Sequence, residues 1–141
     1  MCQYRLYDVH IHGILVVMST VRVLIVEDDP NIRDMYSHEF SRAGIQVFQA
    51  SNGKDGIDLA LLHHPDAILM DIMMPEMNGH VAVSKIRKDS WGKNAKVIFL
   101  TNMSDAENVV HSVEEGSSEY IIKSNMTPKE VVNHTRMAMR G

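Results

Sequence analysis

The stretch Ile68-Leu69-Met70-Asp71-Ile72-Met73-Met74-Pro75 decides the fold. Three apolar residues run into an acid, and a proline turn follows shortly after. A short continuous apolar run of this kind suits a strand buried on both faces, as in a parallel sheet. Ionised Asp is almost never left in such a place without partners. Asp71 is therefore either a structural cap at a strand's end or the reactive group of a site, and its surroundings decide between the two.

Upstream, Val21-Arg22-Val23-Leu24-Ile25-Val26 is a β-branched run stopped by Glu27-Asp28-Asp29-Pro30. Pro30 suits the first turn of a helix with Asp29 as its N-cap, and Ile32, Met35, Tyr36, Phe40 and Ala43 fall on one face. Gly44 stops that helix, Ile45 to Ala50 is a second strand, and a second helix carries Ile57, Ala60 and Leu61 up to His64-Pro65.

Downstream of a Pro75–Gly79 loop, a third helix turns Ala82, Val83 and Ile86 inward. Lys96 to Leu100 is a fourth strand, ending at Thr101. Ser104-x-x-Glu107 is a capping box for a fourth helix, with Val109, Val110 and Val113 inward and Gly116 as its stop. Glu119 to Ile122 is a fifth strand, ending at Lys123. Thr127-Pro128-Lys129-Glu130 is a second capping box, and Val131, Thr135, Ala138 and Met139 share a side of the last helix. Five strands alternating with five helices predict a parallel sheet with helices on both faces.

At 141 residues the chain is long enough for one domain with a real core. A net charge of −4 and the lack of any Lys/Arg run leave no electrostatic footprint for nucleic acid. No apolar stretch approaches the roughly 18–20 residues of a membrane helix. The single cysteine, Cys2, cannot form an internal disulfide, which fits a reducing, cytoplasmic compartment. Residues 1–20 read as an N-terminal extension to a domain at 21–141. They make a poor signal peptide, and an added edge strand, a flexible tail and a natural start at Met18 stay open as readings.

In an open parallel sheet, ligands bind beyond the carboxyl ends of the strands. Asp28, Asp71, Thr101 and Lys123 all fall at such ends and so should face one edge. Carboxylates gathered there (Glu27, Asp28 and Asp71) repel each other unless a cation sits among them. Oxygen ligands without a cysteine cluster suit Mg²⁺. Lys123 supplies a point charge for phosphate and Thr101 a hydroxyl, so the natural guest is a metal-bridged phosphoryl group. A carboxylate can itself attack phosphorus, and Asp71 is the most central. Taken singly, each residue has a plainer reading: a helix cap for Asp29, a turn residue for Thr101, a solvated strand end for Lys123. Four at the ends of four parallel strands outweigh those readings. His10, His12, His63 and His64 have no spacing to other metal ligands, and the eleven methionines read mainly as core filler.

These residues resemble the receiver domain of two-component response regulators, over about Val21 to Met139. The landmarks are Val-Leu-Ile-Val-Glu-Asp-Asp, Met-Asp-Ile-Met-Met-Pro-x-Met-Asn-Gly, Phe-Leu-Thr and Tyr-Ile-Ile-Lys. The resemblance implies a flavodoxin-like, doubly wound (βα)5 three-layer sandwich with strand order 2-1-3-4-5. It implies that Asp71 accepts a phosphoryl group from a histidine kinase, a histidine phosphotransfer protein or a small phosphodonor. It implies Mg²⁺ (with Mn²⁺ as a substitute) held by Asp28, Asp71 and the Met73 carbonyl, with Glu27 acting through water. Thr101, Lys123 and Asn102 would contact the phosphoryl group, and Tyr120 would be the signalling aromatic that reshapes the surface of the fourth helix, fifth strand and last helix. Met73 and Met103 occupy positions that tune phosphoryl lifetime in the family, and both would shield the group from water. A protein partner downstream, and a monomer or weak phosphorylation-dependent dimer through that same surface, are further expectations. The last helix ends at Gly141, which reads as a stand-alone receiver or as a piece of a longer regulator.

Two departures stand out. The family usually has proline after the lysine, where this chain has Ser124, so a trans bond and a less rigid loop are expected. Asn102 replaces the small residue that usually follows the threonine, and its bulk could crowd the phosphoryl pocket. Rival chemistries fit less well. A haloacid-dehalogenase-type phosphatase needs a second Asp two residues after the nucleophile, where Met73 stands. A nucleotide-binding module needs a phosphate-cradling glycine loop where Glu27-Asp28-Asp29-Pro30 stands.

Overall fold

In the computed structural model of the chain, the deciding stretch is a strand, Ala67–Asp71, with all five residues buried. The structure describes residues 5–11, 14–102 and 118–140. The predicted fourth helix from Ser104 to Gly116, and Met103, lie outside the described residues.

In chain order the elements are β1 (Arg5–Ile11), β2 (Ile14–Thr20), β3 (Arg22–Val26), α1 (Pro30–Arg42), β4 (Gln46–Ala50) and α2 (Gly53–His63). They continue with β5 (Ala67–Asp71), α3 (Gly79–Arg87), β6 (Val97–Thr101), β7 (Glu119–Ile122) and α4 (Pro128–Arg140). Single 3₁₀ turns occupy Gly92–Asn94 and Lys123–Asn125. Strands β4-β3-β5-β6-β7 form one sheet in that order, and every pairing in it is parallel. Counted from β3, this is the expected 2-1-3-4-5. β1 and β2 pair antiparallel with each other, and neither joins the five-stranded sheet.

The period-2 alternation of strands sorts the core into two halves. Val23, Ile25, Leu69, Ile98 and Leu100 pack with Tyr36 and Phe40 of α1 and Val131, Val132, Ala138 and Met139 of α4. Leu24, Val26, Ile68, Met70, Val97 and Phe99 pack with Ala60 of α2 and Ala82, Val83 and Ile86 of α3. The central strands β3, β5 and β6 are buried throughout because both of their faces are covered. Met35 departs from its expected inward place: it is 42% exposed, because the buried arc of α1 narrows to Tyr36, Ser37 and Phe40.

The caps fix where each helix begins. The Asp29 carboxylate accepts from the backbone N–H groups of Asn31 and Ile32 at 2.8 and 3.3 Å, with Pro30 in the first turn. Asn52 and Asn78 do the same for α2 and α3, accepting from Asp55 N–H and Val81 N–H. Thr127 and Glu130 form the reciprocal box, each side chain accepting from the other's backbone N–H at 3.2 Å. Gly79 lets α3 start against the end of β5. A Cβ there would lie 2.3 Å from the Asp71 carbonyl oxygen, while its own N–H donates to Ile72 O at 2.9 Å. No cis peptide bond occurs among the described residues, so Lys123–Ser124 is trans, as the missing proline led one to expect.

Candidate functional site

The ends of β3, β5, β6 and β7 meet at one edge of the sheet. Glu27 follows β3 directly and is 1% exposed, although it is an acid. Each of its polar groups has a partner. Its N–H donates to Ala50 O at 3.0 Å and its carbonyl accepts from Arg33 Nη1 at 2.8 Å. Its carboxylate accepts from Asp29 N–H at 3.2 Å on one oxygen and from Lys123 Nζ at 2.6 Å on the other. Full pairing is what makes a buried charge tolerable.

Asp71 closes β5 and is also buried; Lys123 Nζ lies 3.2 Å from its Oδ1. Glu27, Asp28 and Asp71 each offer a carboxylate oxygen, and these oxygens lie within 4.8 Å of one another. Burial pushes the Asp71 carboxyl up to about 8, the charge of Glu27 adds to the rise, and Lys123 only partly offsets it. Burial also works against ionisation of Asp28. Hydrogen bonds with the Glu27 and Asp71 carboxyls and the charge of Lys123 outweigh it, so that group sits below the usual carboxylate range. For Lys123, burial works against the charge, but the Glu27 hydrogen bond and the two acidic neighbours raise its pKa on balance.

One lysine is too little positive charge for three acids, and after burial the charge of Glu27 is what holds the Asp71 pKa up. A hard cation among the three carboxylates would supply what is missing, and an all-oxygen donor set suits one. The acidic cluster therefore fits a metal ion.

Thr101 closes β6 and is 1% exposed. Its hydroxyl donates to the carbonyl of Asn102 at 3.2 Å, so it is turned along its own chain. The exposed Asn102 follows. Tyr120 lies opposite Phe99 in the β6–β7 register, stacked on it with ring centroids 5.1 Å apart, and His80 of α3 lies 4.6 Å from Phe99. Met73 is 55% exposed beside the acidic edge. The histidines His63 and His64 stack on Phe48 and Trp91 at 4.0 and 4.5 Å, and neither belongs to a metal-ligating group among the described residues.

Three features of this site escaped the sequence reading. Arg33 reaches back across the first turn of α1 to Glu27 O; a basic residue four positions after the cap Asp29 was the only signal available. Glu27 turned out to be Lys123's nearer partner. His80 of α3 lies tilted against the Phe99–Tyr120 pair, which the β6–β7 register and the packing of α3 on the sheet bring together.

Comparison with known proteins agrees with this arrangement. The family model described as the response regulator receiver domain matches residues 23–136. The probable transcriptional regulator ycf27 of Guillardia theta is 34% identical over 84% of this chain and 45% of its own length. The chain thus spans about half the length of the curated relatives it matches. Among solved structures, the Vibrio cholerae chemotaxis protein CheY4 matches with a TM-score of 0.78 and 27% identity, over 84% of this chain and 98% of that one. The receiver domain of a signal transduction histidine kinase from Syntrophus aciditrophicus matches with a TM-score of 0.76 and 30% identity, over 86% and 92%. Receiver domains are signalling modules of two-component systems rather than enzymes acting on a separate substrate. With strand order, acidic edge and matched residues in agreement, the chain belongs to the response regulator receiver domain family.

Proposed function

We propose that this chain works in a phosphorelay, with Asp71 accepting a phosphoryl group in an Mg²⁺-dependent step. The donor is the phosphohistidine of a sensor histidine kinase or histidine phosphotransfer protein, or a small phosphodonor. The observation that carries this reading is the position of Asp71. It ends the central strand 3.2 Å from Lys123 Nζ, with oxygens of Glu27 and Asp28 inside a 4.8 Å cluster.

Asp28, Asp71 and the Met73 carbonyl would hold Mg²⁺ or Mn²⁺, with Glu27 acting through water. When bound, the cation supplies the charge that lets Asp71 ionise and polarises the phosphoryl oxygens. A carboxylate oxygen of Asp71 then attacks phosphorus, the donor's P–N or P–O bond breaks, and the leaving group takes the electron pair. Lys123, Thr101 and Asn102 contact the phosphoryl oxygens. Thr101 leaves the Asn102 carbonyl to do so, and Tyr120 follows, reshaping the surface of the fourth helix, β7 and α4 for a downstream protein. Met73 and Met103 shield the phosphoryl group from water. The chain promotes only its own phosphorylation and a slow loss of phosphate, in the cytoplasm.

The test is incubation with Mg²⁺ and acetyl phosphate, read by intact mass. Wild type gains one phosphoryl group and Asp71→Asn gains none. Equal labelling of the two, or no labelling of wild type with a beryllofluoride mimic also failing to shift its NMR spectrum, would overturn the reading.

A further inference from the structure

Arg33 stands where a cation is electrostatically out of place. It lies near the start of α1, its N–H donating to Asp29 O at 2.9 Å. That end of a helix carries partial positive charge, and no acidic residue in the first turn offsets it. The guanidinium turns back toward the acidic edge. Its Nη1 donates to the Glu27 carbonyl oxygen at 2.8 Å in a partly buried contact. That carbonyl belongs to the peptide joining Glu27 to Asp28.

Glu27 and Asp71 are buried, and Asp28 is the most open of the three acids. Glu27 is tied to Lys123 and Asp29 N–H, and Asp71 ends a strand buried throughout. Packing aims those two carboxylates, whereas Asp28 takes its direction from its own backbone. That backbone is held on both sides. After it, Asp29 caps α1 and donates its N–H to the Glu27 carboxylate at 3.2 Å. Before it, Arg33 grips the Glu27 carbonyl with a short, charge-assisted bond.

We propose that Arg33 is a positioning residue for the acidic edge. By holding the Glu27 carbonyl it fixes the Glu27–Asp28 peptide, and so aims the Asp28 carboxylate at the place it shares with Glu27 and Asp71. This rests on the reading of that edge as an Mg²⁺ site. Arg33 acts through Glu27 and Asp28 rather than on the phosphoryl group, so its loss weakens metal binding and spares the transfer step. The side chain also borders an open cavity of about 520 Å³, lined in part by Gln49, Ser51, Asp55 and Asp58. With Arg33 truncated, a small guanidinium ion can enter from solvent, and the two aspartates favour a cation there.

The experiment is Mg²⁺ titration of the full chain by calorimetry and amide NMR shifts, alongside labelling by acetyl phosphate. Arg33→Ala should weaken Mg²⁺ binding about tenfold, as loss of a group that orients a metal ligand usually does. Its labelling should be slow at low Mg²⁺ and return to within about twofold of wild type at saturating Mg²⁺. Arg33→Lys keeps a charged donor on a shorter arm and should bind about threefold more weakly than wild type. Millimolar methylguanidinium should strengthen Mg²⁺ binding by Arg33→Ala and leave wild type unchanged. In chelator, the Asp28 and Asp29 amides should exchange faster in Arg33→Ala, with the melting temperature within a few degrees of wild type. Mg²⁺ affinity equal to wild type's in Arg33→Ala, or methylguanidinium that restores the melting temperature without the affinity, would overturn the proposal. If Arg33→Ala does not fold, Arg33→Lys decides: wild-type affinity, or labelling still lost at saturating Mg²⁺, overturns it too. A wild-type chain that neither binds Mg²⁺ nor takes the label would sink the reading of the edge itself, and this inference with it.

Discussion

Lys123 is nearer to Glu27 than to Asp71: its Nζ lies 2.6 Å from Glu27 Oε1 and 3.2 Å from Asp71 Oδ1. The lysine thus rests on the acid that is not the proposed acceptor. Removing it leaves Glu27 as an unpaired buried charge. Lys123→Ala should cost about 3–5 kcal/mol in chemical denaturation, as breaking a buried pair usually does. It should also raise the Asp71 pKa further, because the offsetting charge is gone. A carboxyl NMR titration reads that second effect.

Glu27→Gln acts in the opposite direction on Asp71. The charge of Glu27 is the second cause of the raised Asp71 pKa, after burial. The Asp71 titration should move down, with burial keeping it above the ordinary carboxylate value. A titration midpoint unchanged from wild type would show that Glu27 is not felt at Asp71.

Asp71 also fixes a sign for stability against pH. Its folded pKa of about 8 stands above the ordinary value of 3.8, so between these values the folded state binds more protons than the unfolded one. Its contribution to stability therefore declines as pH rises from about 4 to about 8. Metal-free Asp71→Asn should lose that part of the slope and be more stable than wild type at pH 8 by on the order of 1–3 kcal/mol. Thermal melts at several pH values in chelator check both statements. Added Mg²⁺ should flatten the wild-type slope and leave the variant unchanged.

Gly79→Ala forces a methyl group to within 2.3 Å of the Asp71 carbonyl oxygen. Backbone rather than a pliable side chain would have to move, at a cost of about 2–3 kcal/mol. The displaced strand end should also slow labelling by acetyl phosphate more than the lost stability alone explains, as seen in folded protein at low temperature.

Met73 is more than half exposed at the acidic edge. If its thioether keeps water from the phosphoryl group, Met73→Asn should shorten the phosphoprotein half-life several-fold with little change in the melting temperature. A half-life equal to wild type's would remove Met73 from the account.

Much of the fold was legible because it rests on local patterns. The run from Ile68 to Asp71, the Asp29 cap and the Thr127–Glu130 box each lie within a few residues, and each stands in the structure, the strand starting one residue earlier at Ala67. Met35 was misread because periodicity marks a helix face without giving its width. The site's residues were legible as strand ends, but their pairing was not. Glu27 and Lys123 lie 96 positions apart, and only the closed sheet decides which acid the lysine meets. The hairpin was hidden for another reason: Asp8 and His10 interrupt the apolar run and read as breaks, although both lie within β1.

Thr101 spends its resting state on one neutral hydrogen bond to the next residue's carbonyl. Such a bond contributes about 0.5–1.5 kcal/mol, and a charge-assisted one roughly twice as much. An anion arriving beside Asp71 would therefore draw the hydroxyl away with a margin of about 1 kcal/mol, a factor of about five in population. On the proposed reading, so shallow a gradient would make the chain behave like a dimmer: its output would follow the fraction of molecules loaded and relax once the load is gone.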